Sequence, residues 1–169
     1  MSRVAYVNGR YVPHAQASVH VEDRGFQFAD AVYEVWAVLV GRLAECEGHL
    51  DRLERSLGEL RITAPMPRAA LVVVLREVVR RNRVRDGIVY LQVSRGVARR
   101  DHAFPTTLVR PTVVITARSL DPVSIEAKAV AGVSVITRPE SRWGRCDIKT
   151  TGLLPNALAK QAAKEAGAA

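Results

Sequence analysis

The sequence predicts an α+β fold, with strand-like and helix-like segments in the order β, β, α, α, β, β up to about residue 120. Two observations support this prediction. Short β-branched stretches are bounded by turn residues, and two longer stretches repeat leucine or valine at helical spacing. The chain has 169 residues, of which 48% are hydrophobic and 25% charged, so it is long and apolar enough to bury a core.

A hairpin is predicted at the start of the chain. The Asn8-Gly9 dipeptide tolerates the positive φ angles of a type I′ turn, and it separates two β-prone stretches at 4–7 and 11–12. Residues 13–30 show no clean hydrophobic period, so we expect them to be irregular. Regular structure is therefore expected to resume only after residue 30.

The next element is predicted to be a longer strand at 31–40, which is rich in β-branched and aromatic residues. Gly41-Arg42 is expected to turn the chain into a partner strand. Because side chains alternate along a strand, Tyr33 should lie on one face, and Glu34 and Trp36 should lie together on the other.

Two amphipathic helices are predicted to follow. The first, at about 48–61, has an apolar stripe formed by Leu50, Leu53, Leu57 and Leu60. The second begins at Pro67, a residue suited to the first turn of a helix, and its inward side chains are Leu71, Val74, Leu75, Val78 and Val79. Several arginines at its end complement the negative end of the helix dipole.

Strands are predicted again at 88–93 and 112–117, with a polar loop between them. Leu120-Asp121-Pro122 is typical of a turn. Beyond it we predict a strand at 130–137 and a helix in the alanine-rich end of the chain. The residues after 120 are too few for a second independent core.

The cysteine content and the hydropathy argue against a disulfide-rich, secreted or membrane-spanning protein. The net charge is +8, and only four of the 25 basic residues are lysine. Cys46 and Cys146 are too few for a disulfide framework, so we expect a reducing compartment, the cytoplasm. The sequence shows no signal-peptide pattern and no apolar run of the roughly 18–20 residues that cross a bilayer. The four histidines lack metal-ligand spacing, so no metal site is predicted.

Four segments carry the remaining information about function. They are RGFQFADAVYEV at 24–35, GHLDRLERSLGELRI at 48–62, YLQVSRGVARRDHAFP at 90–105 and RWGRCDIKTTGLLPNALAKQAA at 142–163. Together they resemble the class IV aminotransferases, which use pyridoxal phosphate (PLP), and most closely the D-amino-acid transaminases. The resemblance runs from about residue 3 to the last residue, and the four motifs occur in the order expected of the family.

The resemblance implies a role for five residues. Lys149, in the CDIK segment, matches the lysine that bonds covalently to PLP, and Arg52 matches the arginine that binds the cofactor phosphate. Tyr33 matches an active-site tyrosine near the substrate carboxylate. Arg100 and His102 match an Arg-x-His pair that helps to bind this carboxylate. In the family the pair reaches over from the neighbouring subunit, which implies a homodimer.

The chemistry of these side chains agrees with such roles. A planar guanidinium binds phosphate or carboxylate through two parallel hydrogen bonds, which suits Arg52 and Arg100. A lysine amine can act as a nucleophile and then move a proton between the substrate Cα and the cofactor, as implied for Lys149. The implied reaction transfers the amino group of a D-amino acid, such as D-alanine, to a 2-oxo acid, such as 2-oxoglutarate.

Each of these residues also has an alternative structural interpretation. Lys149 alone would be read as a surface lysine at the start of a helix, and Arg52 as an exposed residue beside the leucine stripe. Tyr33 would be a core aromatic residue, since aromatic residues on strands usually are. Arg100 and His102 would belong to a solvated loop.

The resemblance also implies how the chain is divided. Residues 1–120 correspond to a small N-terminal α+β domain, 121–125 to an interdomain linker, and 126–169 to the start of a larger α/β domain that binds PLP. In the family this second domain continues further, so we expect the chain to be the N-terminal portion of such an enzyme. The sequence leaves two alternatives open, an active chain and an inactive one.

Other functions remain open as well. A branched-chain aminotransferase and an aminodeoxychorismate lyase share the fold, but the Arg100-x-His102 pair favours the D-amino-acid branch. A non-catalytic nucleic-acid-binding module is the alternative from another class, because arginines cluster at 76–85. The chain lacks an interleaved aromatic platform, so we predict neither a nucleic-acid nor a membrane partner.

Overall fold

A computed structural model describes residues 3–168, and its central element is a six-stranded sheet. The strands are β1 (Val4–Val7), β2 (Arg10–Pro13), β3 (Ala31–Leu39), β4 (Arg42–Leu43), β5 (Gly87–Ser94) and β6 (Thr112–Ser119). They lie in the order β2-β1-β6-β5-β3-β4, and every neighbouring pair is antiparallel. The long central strands β3, β5 and β6 therefore form the body of the sheet.

Two of the helices pack on one face of the sheet. Within residues 3–168 the α-helices are α1 (Arg24–Phe28), α2 (Cys46–Glu59), α3 (Arg68–Arg81), α4 (Pro122–Ala131) and α5 (Leu154–Glu165). Helix α2 packs against β3, and α3 packs against β1, β5 and β6. The predicted α+β fold is confirmed, and both predicted amphipathic helices are present. Pro67 caps α3 rather than lying inside its first turn.

The core lies between the sheet and helices α2 and α3. Its largest fully buried side chains include Trp36 of β3, Leu50 of α2, Leu75 of α3 and Leu91 of β5. The strand register aligns the inward side chains, since Trp36 pairs across the sheet with Val89. The predicted alternation of β3 is confirmed, and the opposite face of the sheet is only partly covered.

Two-residue turns set the register of the outer strands. Asn8 and Gly9 have φ angles of 46° and 94°, which confirms the predicted type I′ hairpin. Val40 and Gly41 form the second turn, one residue earlier than predicted, and both also have positive φ angles. The segment 13–30, which was predicted to be irregular, contains α1.

The prediction of a strand at 130–137 is wrong. Helix α4 extends to Ala131, and residues 132–140 have no regular structure. Asp121 caps this helix and Pro122 occupies its first turn, which favours helix over strand. A strand also needs a hydrogen-bonded neighbour, and no described strand pairs with this segment. The proposed linker at 121–125 falls mostly within α4, and the division into two domains stays a prediction.

A glycine at the start of β5 makes the packing testable. A Cβ on Gly87 would collide with the carbonyl oxygen of Arg118 and would lie 2.8 Å from Cγ1 of Val84. We expect Gly87→Ala to lower the free energy of unfolding by about 1–3 kcal/mol. The matched control is Gly58→Ala in α2, where a Cβ meets open space; it should raise the free energy of unfolding by about 0.5–1 kcal/mol. Urea unfolding measures both, and equal effects would contradict this packing.

Candidate functional site

Backbone hydrogen bonds hold the segment that carries Lys149 against the edge of β3. The Lys149 carbonyl oxygen accepts a hydrogen bond from the N–H of Tyr33 at 3.0 Å. Two residues later, the N–H of Thr151 donates to the carbonyl oxygen of Ala31 at 3.1 Å. The segment thus continues the antiparallel pairing of the sheet for a few residues, and this pairing places Lys149 beside Tyr33.

Helix α2 anchors the residues just before this pairing. Arg55 donates to the backbone carbonyl of Asp147 at 2.6 Å and to its carboxylate at 2.8 Å. Arg145 bridges the same carboxylate to Glu59 of α2. A hydrogen bond from Arg145 above all, and another from Arg55, hold the pKa of Asp147 far below its usual range. Ile148 is buried in the core, so the segment is held by ion pairs and by packing.

The Lys149 amine faces an aromatic ring and a cleft. Its Nζ lies 4.1 Å from the centroid of the Tyr33 ring, a cation–π distance. Among residues 3–168, Lys149 forms no ion pair, because the neighbouring Asp147 carboxylate is bound to arginines. A cleft of about 210 Å³ opens beside the amine, and Trp143 and Asn156 contribute to its lining.

Tyr33 is fixed from the side of the sheet as well. Its ring stacks on that of Tyr90 in β5, with centroids 5.7 Å apart and planes 29° apart. The Tyr90 hydroxyl donates a hydrogen bond to Gln92 at 2.8 Å. Burial, with a smaller electrostatic effect of Tyr33, raises the pKa of Tyr90 to about 12, so its hydroxyl stays neutral and keeps its proton to donate. The position of the Tyr33 ring is therefore set by both β5 and the Lys149 segment.

Arg52 is bound to a buried carboxylate. Its Nε and Nη2 donate to the two oxygens of Glu34 at 2.6 and 2.8 Å, and Glu34 is 0% exposed. His49, one turn earlier in α2, lies 2.8 Å from the same carboxylate through Nδ1. The Arg52 side chain is 47% exposed, and its Nη1 makes no hydrogen bond within the described part of the chain. This nitrogen can donate to an anion.

Two opposing effects determine the protonation of Glu34. Burial by itself would raise the pKa of Glu34, but hydrogen bonds from Arg52 and His49 together outweigh it, and the pKa is lowered. The hydrogen bond to Glu34 in turn raises the pKa of Arg52, and a nearby Tyr33 hydroxyl adds a smaller effect. Both Glu34 and Arg52 therefore remain charged at neutral pH.

Arg100 and His102 lie apart from this group, on an exposed loop between β5 and β6. The His102 ring packs edge-on against Phe28 of α1 at 5.5 Å, and the Arg100 guanidinium lies 5.1 Å from the centroid of the same ring. Neither residue lines the cleft beside Lys149. The structure thus brings Lys149 and Tyr33 together, and the cleft beside them is lined by neither Arg52 nor the Arg-x-His pair.

Sequence reasoning missed three residues of the site. The alternation of β3 placed Glu34 on the same face as the core residue Trp36, which was a signal that this carboxylate is buried. His49 and Arg52 are one helical turn apart in α2, so they share a face and can reach the same partner. Ser56 is also buried, and its Oγ lies 3.4 Å from the backbone N–H of the predicted cofactor lysine. No sequence pattern indicates this last contact.

Comparison with known proteins identifies the family. A family model described as amino-transferase class IV matches residues 31–169. The chain belongs to the class IV aminotransferases. It is 42% identical to the D-alanine aminotransferase of Bacillus licheniformis over 161 residues, which cover 95% of this chain and 56% of that protein. The D-alanine aminotransferase of Staphylococcus haemolyticus is 36% identical over 156 residues, covering 92% of the chain and 55% of that protein. The chain therefore spans about half the length of the curated relatives it matches.

Solved structures of branched-chain aminotransferases share the fold. A T.th. branched-chain aminotransferase, complexed with N-(5'-phosphopyridoxyl)-L-glutamate, matches with a TM-score of 0.84 and 24% identity. The match covers 99% of this chain and 57% of that one. The branched-chain aminotransferase of Escherichia coli matches with a TM-score of 0.79 and 19% identity, covering 99% of this chain and 58% of that one. The expected family resemblance is confirmed.

Three further findings for residues 3–168 concern metal ligands, membrane-spanning helices and the basic run of α3. This part of the chain contains no group of three or more His, Cys, Asp or Glu side chains placed to hold a metal ion. None of its helices combines the length and the apolar character needed to cross a membrane. In the basic run of α3, Arg80 and Arg81 both pair with Glu77, and Arg81 also covers the Tyr11 ring. These contacts are typical of a solvated helix face.

The buried carboxylate gives a pH-dependent prediction. At pH 7 we expect Glu34→Gln to lower the free energy of unfolding by about 2 kcal/mol, because hydrogen bonds to a charged acceptor are lost. The pKa of Glu34 is lowered in the folded state. Its contribution is therefore complete above the unfolded value of about 4.3 and is lost as the pH falls through the folded pKa.

Urea unfolding from pH 7 to pH 3 measures this contribution. The difference between wild type and Glu34→Gln should shrink below about pH 4. The control is Glu54→Gln, which changes an exposed carboxylate of α2 and should alter stability by less than about 1 kcal/mol at every pH. A difference between wild type and Glu34→Gln that stays constant down to pH 3 would contradict the buried ion pair.

Proposed function

We propose that this chain supplies the lysine-bearing part of a PLP-dependent aminotransferase site. The proposed reaction moves the amino group of a D-amino acid, such as D-alanine, to a 2-oxo acid, such as 2-oxoglutarate. The observation that carries the proposal is the Lys149 amine, which has no carboxylate partner in the described chain and faces Tyr33 and a cleft. A lysine amine that faces a cleft and is not held by a carboxylate is accessible to a carbonyl compound, with which lysine amines form Schiff bases.

The residues around Lys149 fit a PLP molecule. PLP carries an aldehyde that needs a free amine, and Lys149 provides one on a segment held by backbone pairing. It also carries a phosphate, and Arg52 has a half-exposed guanidinium whose Nη1 can donate to an anion. Glu34 fixes the direction of this guanidinium through two hydrogen bonds. When bound, PLP supplies an electron sink for the bond that breaks at the substrate Cα.

The chain's own residues then handle the proton and the substrate. We propose that the Lys149 Nζ accepts the proton that leaves the substrate Cα and afterwards donates a proton, acting first as general base and then as general acid. Tyr33 lies on the same side of the sheet as the Lys149 amine. We propose that its hydroxyl contacts the substrate carboxylate. Because Tyr90 and the Lys149 segment both hold Tyr33, its hydroxyl needs little reorganisation to do so.

Arg100 and His102 support a homodimer in this proposal. They are exposed and lie outside the cleft beside Lys149, so within one chain they do not meet the bound substrate there. We propose that the pair of one subunit binds the substrate carboxylate in the site of its neighbour. The exposed Phe104 and Leu108 on the same loop supply apolar surface for such an interface.

The D-amino-acid substrate is proposed from relatives at 36–42% identity that are named D-alanine aminotransferases. Solved structures named branched-chain aminotransferases are at most 24% identical among those compared, and they support the fold alone. A branched-chain substrate stays the alternative that the sequence left open. Cys46 and Cys146 are both free thiols, which supports the proposed cytoplasmic location.

The role of Lys149 can be tested by amino transfer. We expect the chain, supplied with PLP, D-alanine and 2-oxoglutarate, to form pyruvate, measured with lactate dehydrogenase. Lys149→Ala should abolish this activity because it removes the amine that bonds to the cofactor. The matched control, Lys160→Ala, changes an exposed lysine of α5 and should retain wild-type activity. Equal pyruvate formation by wild type and Lys149→Ala would contradict the proposal.

The substrate class can be tested by comparing donors. We expect D-alanine to be a better donor than L-leucine for the wild-type chain. Replacing Arg100 with alanine should lower kcat/KM for D-alanine by about 10- to 100-fold, because a charge-assisted contact to the carboxylate is lost. Arg99→Ala, which changes the adjacent exposed arginine, is the control. A preference for L-leucine would favour the branched-chain alternative.

A further inference from the structure

The loop that carries Arg100 and His102 rests on a buried arginine, Arg24. Arg24 is 2% exposed and belongs to α1. Its Nη1 donates to the backbone carbonyl of Asp101 at 2.6 Å, and its Nη2 donates to the backbone carbonyl of His102 at 3.4 Å. The buried Arg24 side chain therefore holds the backbone of His102 and of Asp101, the residue between Arg100 and His102.

A second arginine and one carboxylate fix the Arg24 guanidinium. Asp30 accepts a hydrogen bond from the Nε of Arg24 and another from the Nε of Arg95, each at 2.7 Å. Arg95 also donates to the backbone carbonyls of Leu60 and Arg61, at the end of α2. Two buried cations thus share one carboxylate, and each of them also donates to two backbone carbonyls. Buried charges of this kind are stable only when their donors are paired, so the network resists displacement.

Phe28 and the backbone add further contacts to the same loop. The guanidinium groups of Arg24 and Arg100 lie over the Phe28 ring, 4.9 and 5.1 Å from its centroid, and the His102 ring packs against it in a T-shaped arrangement. At the base of the loop, the Arg24 N–H donates to the carbonyl of Gly96 at 2.9 Å. The exposed side chains of Arg100 and His102 therefore extend from a loop whose backbone is held by hydrogen bonds from Arg24 of α1.

We propose that Arg24 is a positioning residue that presents Arg100 and His102 together to a carboxylate. The proposal rests on the proposed function, because that function assigns the carboxylate to this pair. Loss of the guanidinium leaves the Asp101 and His102 carbonyls without their buried donors. The loop then samples other conformations, and the pair binds a carboxylate more weakly.

Limited proteolysis of the folded chain tests whether Arg24 holds the loop. Trypsin cleaves after Arg99 and Arg100 when the loop opens, and mass spectrometry gives the rate at these two bonds. We expect Arg24→Gln to increase the rate about tenfold, since a lost charged hydrogen bond raises the open population by that factor. The matched control is Arg76→Gln, which changes an exposed arginine of α3 and should be cleaved at the wild-type rate. A rate unchanged in Arg24→Gln overturns the proposal.

A conservative variant covers the case in which Arg24→Gln does not fold. Arg24→Lys keeps a positive charge beside Asp30 but cannot donate to both loop carbonyls, so cleavage should still be several-fold faster than in wild type. Thermal unfolding confirms that each variant is folded at the assay temperature. A wild-type cleavage rate in Arg24→Lys overturns the proposal in that case.

A second measurement separates positioning from a merely structural role. We expect 2-oxoglutarate to slow cleavage at the loop, and its half-protecting concentration to rise about tenfold in the Arg24 variants but not in Arg76→Gln. A half-protecting concentration that stays at the wild-type value while thermal stability falls overturns the positioning role. A third outcome is that 2-oxoglutarate fails to protect the wild type, while the Arg24 variants are still cleaved faster than the wild type. This outcome contradicts the carboxylate role in the proposed function and supports the contact between Arg24 and the loop.

Discussion

The pairing of residues 149–151 with the edge of β3 is the contact on which the proposed site depends. It places Lys149 beside Tyr33, although the two lie far apart in the sequence. Because side chains alternate along β3, Tyr33 faces the cleft while Glu34 points into the core and binds Arg52. A single strand therefore holds the aromatic ring beside the amine and, through Glu34 on its other face, fixes the guanidinium that the proposed chemistry requires.

The excess of arginine in this chain serves a related purpose, because arginines bind the carboxylates that surround the site. Arg55 and Arg145 bind Asp147, so this carboxylate does not bind the neighbouring lysine amine. Arg24 and Arg95 share Asp30, and each also donates to backbone carbonyls. These arginines have structural partners, so the large number of basic residues is by itself a weak sign of nucleic-acid binding.

Local patterns predicted the elements that depend on local physics. The Asn8-Gly9 turn, the leucine stripe of α2 and the alternation of β3 are properties of short segments, and the structure contains all three. The strand predicted at 130–137 failed because a strand depends on a partner that periodicity cannot supply. The contacts of the candidate site likewise join residues that lie far apart in the sequence. The family motifs singled out Lys149, but its pairing with β3 is visible only in three dimensions.

The central claim is that the fold places one particular amine to bond with PLP, and covalent mapping tests it most directly. The chain is incubated with an equimolar amount of PLP, reduced with borohydride and digested, and the pyridoxyl group is located by peptide mass spectrometry. The chain offers only three other lysines, Lys128, Lys160 and Lys164. The structure predicts that the group is found on Lys149. A group found on another lysine, spread evenly over all four, or absent from the chain would contradict the claim.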